Sequence, residues 1–145
     1  MRAEPNSGAS YGSGVDYPNL SPEMRDRIAF PNSDGATKWY VWVLGQGCAV
    51  SDDSLHVGLN GQKLNGGTRG IAENMTGWNG CAFAWKSEME SGNRPYIQPN
   101  YSDTNSAFQT LNIWMKEDGM RVDKVILTTD SSDKILKIFI SQIRK

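Results

Sequence analysis

The chain has 145 residues, of which 38% are hydrophobic, 10% aromatic and 21% charged, and its net charge is -1. That length makes about one domain, and 5 Trp among 15 Gly and many Ser and Asn suit a loop-rich β fold better than a disordered chain or a helical bundle. No basic stripe is present for nucleic acid, His56 with 2 Cys cannot complete a four-ligand zinc site, and the apolar run Trp39 to Leu44 is far too short to span a membrane.

Residues 1–23 are rich in Gly, Ser, Asn and Pro and read as an irregular lead-in, without the apolar core of a signal peptide. Met24 to Phe30 is mixed, with Ile28 and Phe30 as apolar points, and Asn32-Ser33-Asp34-Gly35 is a turn signal. Lys38 to Leu44 is β-prone and apolar on both faces, which predicts a central strand covered on both sides. In Asp53 to Asn60, Leu55, Val57 and Leu59 alternate with Ser54, His56 and Gly58, which predicts a half-buried strand with His56 on its solvent side. Asn60-Gly61 then signals a hairpin turn. Residues 62–80 read as a long loop, Cys81 to Trp85 as a short strand, Arg94 to Gln98 as a possible one, and 99–106 as a polar loop.

Phe108 to Met115 alternates, with Leu111, Ile113 and Met115 on one face, and Val122 to Thr128 is β-branched. Asp118-Gly119 between them predicts a tight antiparallel hairpin. Residues 1–129 therefore read as an all-β sandwich of jelly-roll type, mainly antiparallel. The tail, 130–145, carries Ile135, Leu136, Phe139, Ile140 and Ile143 at helical spacing, while Leu136, Ile138 and Ile140 also fit a strand. An extra element and a linker both remain open there.

Among the carboxylates, Glu117 and Asp118 fall at a turn and Glu88 and Glu90 in a polar loop, so no pair sits in the apolar setting that general acid catalysis needs. His56 is the sole candidate base for nucleophilic catalysis. Trp39, Trp42 and Trp114 lie inside strands and belong to the framework. Trp78 and Trp85 flank a loop in TGWNGCAFAWK, and Tyr96 follows a Gly/Asn loop. A sugar ring stacks its C–H face on an exposed aromatic while Asn and Asp bond its hydroxyls, so Trp78 beside Asn79 is either a stacking platform or a cap on the core. Cys48 and Cys81 are either buried thiols or a disulfide.

The segments WYVWVLGQG, DDSLHVGLNGQ and LNIWMKEDGMRVDKVILTTD together resemble the β-sandwich modules appended to bacterial polysaccharide-degrading enzymes. These modules belong to the galactose-binding-like superfamily, as in carbohydrate-binding module families six and thirty-five. The resemblance covers about residues 24–129. It departs from the usual pattern at Leu44, Gln109 and Lys116, where Arg, His and Arg are common, and in lacking a recognisable first strand before residue 23.

The resemblance implies a non-catalytic, monomeric module that holds a secreted enzyme's catalytic domain on a polysaccharide, most directly an algal galactan such as agar, porphyran or carrageenan. It implies a sugar site in loops at one end of the sandwich, drawing on Trp78, Asn79, Trp85, Asp52 and Asp53, with Tyr96 nearby. It also implies a structural calcium ion held by Asp123 and Glu4, where hard oxygen ligands meet. Otherwise Asp123 is a surface acid paired with Lys124 or Arg121. A small jelly-roll lyase or hydrolase and a cell-surface protein-interaction domain are the alternatives.

Overall fold

Nine strands form among the residues described in the computed structural model, which are 23–30, 38–63, 75–99, 108–117, 119–132 and 139–141. They are β1 (Glu23–Ala29), β2 (Trp39–Gln46), β3 (Leu55–Leu59), β4 (Gln62–Lys63), β5 (Ala84–Lys86), β6 (Tyr96–Ile97), β7 (Phe108–Met115), β8 (Arg121–Thr128) and β9 (Phe139–Ser141). One turn of 3-10 helix, Val50–Asp52, interrupts the loop after β2. The four-stranded sheet runs β1-β7-β3-β4 and the other runs β5-β2-β8-β9, with β6 also on β2. Strand pairs are antiparallel, and the architecture is the all-β sandwich expected from the sequence.

Side chains alternate across a strand, so each sheet lays one set of residues on the shared core. β2 contributes Trp39, Val41 and Val43, β3 Leu55, Val57 and Leu59, and β7 Leu111, Ile113 and Met115. In β8 the apolar positions Val122, Val125 and Leu127 break the two-residue period. The pairing shifts between Leu44↔Lys124 and Gly45↔Val122, so Asp123 is an extra, bulged residue that lets Val122 turn inward. Phe30 meets Trp39 edge to face, with centroids 5.5 Å apart.

Four expectations are corrected. β7 and β8 do not form a hairpin: β7 pairs with β1 and β3, and β8 with β2 and β9. Residues 116–120 carry the chain from one sheet to the other, and Met120 is buried. Alternation reveals which side of a strand faces the core, not which sheet the strand joins. β1 was hidden by its charges; Arg25 and Arg27 are exposed on an edge strand while Met24 and Ile28 pack on the core. His56 is 0% exposed, not on a solvent face, because β3 is buried on both sides. β2 is central but only half-covered on its outer side, where Trp42 lies outside the core cluster.

Other local readings hold. Asn60 and Gly61 both take positive φ, 54° and 77°, as a type I′ turn between β3 and β4 demands. Asn60 Nδ2 donates to Gln109 Oε1 at 3.1 Å and Gly61 N donates to Asn112 Oδ1 at 2.8 Å, which ties the turn to β7. In the tail, the strand alternative holds for Phe139–Ser141, which pairs with β8. The expected turn at Asn32–Gly35 lies outside the described residues, as does Asp118.

Candidate functional site

The loops at one end of the sandwich carry most of the residues expected to bind sugar, and they are largely occupied with holding each other. Trp78 is 1% exposed and belongs to the core cluster. Its Nε1 donates to the Ala84 carbonyl at 2.9 Å, so the indole is satisfied from inside. The stacking-platform reading is therefore corrected to a core cap, and no face of Trp78 is open to a ligand. Two glycines allow this packing: a Cβ at Gly45 would come within 3.1 Å of Trp78 Nε1, and one at Gly47 would collide with the backbone oxygens of Asp52 and Trp78. Cys48 and Cys81 are disulfide-bonded, and Cys81 N donates to the Gly47 carbonyl at 2.8 Å, so the two loops form one tethered unit.

Asp53 is buried, and its carboxylate accepts from Thr76 Oγ1 at 3.2 Å. Its own amide donates to Glu117 Oε2 at 2.8 Å, joining the loop after β2 to the crossing after β7. Asp52 is half-buried and accepts from Ser51 Oγ at 3.1 Å, and Asn79 is exposed on the loop tip. Val50 and Phe83 stand out at the same end, 75% and 49% exposed.

Glu4 lies outside the described residues. Asp123 is half-exposed and lies 3.8 Å from Lys124 Nζ, which is the surface ion pair weighed as the alternative to a calcium ligand. Among the described residues no group of three or more His, Cys, Asp or Glu converges to hold a metal. Calcium takes several oxygen ligands, of which Asp123 would supply only part.

Trp85 and Tyr96 are brought together on a different surface, the outer face of the five-stranded sheet. Trp85 pairs with Leu44 and Tyr96 with Tyr40, on the two short strands that lie end to end along β2. Tyr40, Trp42 and Leu44 alternate outward from β2 with about 7 Å between successive positions. All of these side chains are half-buried, so each keeps part of its surface in solvent. The Tyr40 and Tyr96 rings meet edge to face, with centroids 6.2 Å apart.

Strand alternation, with cross-strand neighbours on β5 and β6, thus builds an aromatic row of Tyr96, Tyr40, Trp42 and Trp85. Tyr40 and Trp42 were missed as site residues because an apolar run such as KWYVWVL reads as covered on both faces. Their outward parity relative to Val41 and Val43 was the available signal.

Basic side chains border the row. Lys38 Nζ lies 4.4 Å from the centroid of Tyr96, and Arg94 Cζ lies 5.2 Å from that of Trp42. Lys124 pairs across from Leu44 and Arg121 from Gln46. The arrangement offers flat apolar surfaces bordered by positively charged hydrogen-bond donors.

His56, the one candidate general base, is fully buried on β3 opposite Trp114 and is not on this face. Nearby, Asn112 Nδ2 donates to Glu23 Oε1 at 2.6 Å, a contact that locks β1 to β7.

No protein-family model matches the chain, and no solved structure matches it. The chain is 33% identical over 126 residues to a Formosa agariphila protein named Uncharacterized protein P23. The similarity spans 82% of this chain but 29% of that relative.

Proposed function

We propose that this domain is a non-catalytic carbohydrate-binding module that holds an attached enzyme on a polysaccharide, most directly an algal galactan of the agar, porphyran or carrageenan type. The observation that carries the reading is the half-exposed aromatic row Tyr96, Tyr40, Trp42 and Trp85 on the outer face of the five-stranded sheet. A sheet face is rigid, so the rings are pre-positioned and little ordering cost accompanies binding. Each sugar hydroxyl exchanges water hydrogen bonds for protein ones with small net gain, so affinity per module is modest. Its effect on an attached catalytic domain is to raise the local substrate concentration.

Two further observations support this reading. The similarity, which spans 29% of the relative, fits a module within a larger protein. The Cys48–Cys81 disulfide fits an oxidising, extracellular setting.

Affinity electrophoresis through gels containing agarose, porphyran, carrageenan, alginate or xylan tests the proposal, with reducing ends assayed in parallel. Retardation by at least one polymer without release of reducing ends is expected. Passage through every gel at the rate of a non-binding control contradicts it, and release of reducing ends points to the hydrolase alternative.

A further inference from the structure

We infer that the glycan taken by the aromatic face is acidic, carrying sulfate esters or carboxylates along its chain; this rests on the binding-module reading and specifies its ligand. Two of the rings on the face are not bare. Lys38 Nζ sits over Tyr96 at 4.4 Å and the Arg94 guanidinium over Trp42 at 5.2 Å. A cation is held over a ring by the ring quadrupole, so these charges are fixed at the rings rather than swinging freely in solvent. A neutral sugar gains most from stacking its C–H face on an uncovered ring. At Tyr96 and Trp42 an incoming chain meets positive charge on an aromatic cushion instead.

Trp85, among the described residues, has no cation or second ring against it. It is the stacking position at one end of the row; Arg94 and Lys38 follow along the row at Trp42 and Tyr96, and Lys124 stands across β2 beyond Leu44. Lysine supplies a compact point charge to a sulfate or carboxylate, and Arg94 adds a second positive charge beside Trp42. β8 extends the same sign of charge: Lys124 and Arg121 face Leu44 and Gln46 across the sheet, and both are exposed. Asp123 lies 3.8 Å from Lys124 Nζ, and Arg121 donates to Gln46 Oε1 at 3.3 Å. The whole chain has a net charge of -1, so this face is a local concentration of cations rather than a sample of a basic protein. Such a patch attracts a polyanion and makes its binding sensitive to salt.

The test compares matched polymers on the full chain: native porphyran, the same porphyran chemically desulfated, alginate as the carboxylate source, and neutral agarose. Each gel is run at about 0.05 and about 0.3 M NaCl, across which screening tightens markedly. The expected result is retardation by porphyran that falls about tenfold or more on desulfation, or retardation by alginate, in either case weakening at the higher salt. Which acidic polymer is retarded more distinguishes sulfate from carboxylate. Lys38→Gln combined with Arg94→Gln is expected to lower affinity for the acidic polymer about tenfold or more. Because the salt and desulfation series use the unaltered protein, they decide the matter even if that variant folds poorly. Equal, salt-insensitive retardation by native and desulfated porphyran overturns the inference and leaves the binding-module reading standing. Retardation by no polymer overturns both, as does retention by a single-stranded oligonucleotide and by no acidic glycan.

Discussion

Trp78 and Trp85 stand close in sequence, and the sandwich treats them oppositely. Trp78 fills the core with its Nε1 satisfied by the Ala84 carbonyl, whereas Trp85 lies half-buried on the outer face of an edge strand. Trp78→Ala is therefore expected to cost about 3–5 kcal/mol of folding stability, the range for deleting a buried aromatic. Trp85→Ala is expected to cost about 1 kcal/mol or less while removing retention on polysaccharide, since an exposed face loses little packing. Thermal melting of the two variants beside wild type checks both statements. Gly47→Ala places a methyl against backbone that has no rotamer to move, so a loss of about 1–3 kcal/mol is expected in denaturant unfolding. The local segment TGWNG carries no sign of this burial. Room for the Trp78 indole depends on Gly45 in β2 and the approach of its backbone on Gly47 just after β2, and only the folded chain brings these residues together.

At the scale of elements, the disulfide and the pairing of strands across sheets matter most. Cys48 and Cys81 are separated by 33 residues, and closing a loop of that size removes unfolded-state entropy worth roughly 4 kcal/mol in the chain-entropy picture. Cys48→Ser with Cys81→Ser, or reduction, is accordingly expected to lower the melting temperature. Strands β3 and β7 were legible because their apolar residues alternate, β2 and β8 because they are β-prone apolar runs, and the Asn60-Gly61 turn because its two positive φ values suit those residue types. The partner of β7 was not legible. Asp118-Gly119 looks like hairpin chemistry, yet the residues around it span two facing sheets, and Glu117 is drawn to the amide of Asp53. Likewise β1 carries too many charges to show as a strand until its pairing with β7 is seen. Of the expected ligand residues, Trp85 and Tyr96 share the aromatic face. Asp53 and Trp78 are committed to the architecture, and Asn79 is left on the tip of the tethered loops.

For the whole molecule, the two sheets are unlike on their outer sides. On the four-stranded sheet His56, Asn112 and Trp114 are buried; on the five-stranded sheet Ile126 and Thr128 of β8 are buried, but Tyr40, Trp42, Trp85 and Tyr96 on β2, β5 and β6 remain half-exposed, with Arg94 and Lys38 against two of the rings. This asymmetry leads us to assign ligand binding to the five-stranded face rather than to the end loops or the His56 side. The most direct test is a nitrogen–proton NMR titration of the chain with a galactan oligosaccharide. The account predicts that shifts cluster on the amides of Tyr40, Trp42, Trp85, Arg94 and Tyr96 and on the Trp85 indole. Shifts confined to the Asn79 loop tip or to the four-stranded sheet, or no shifts at all, would contradict it.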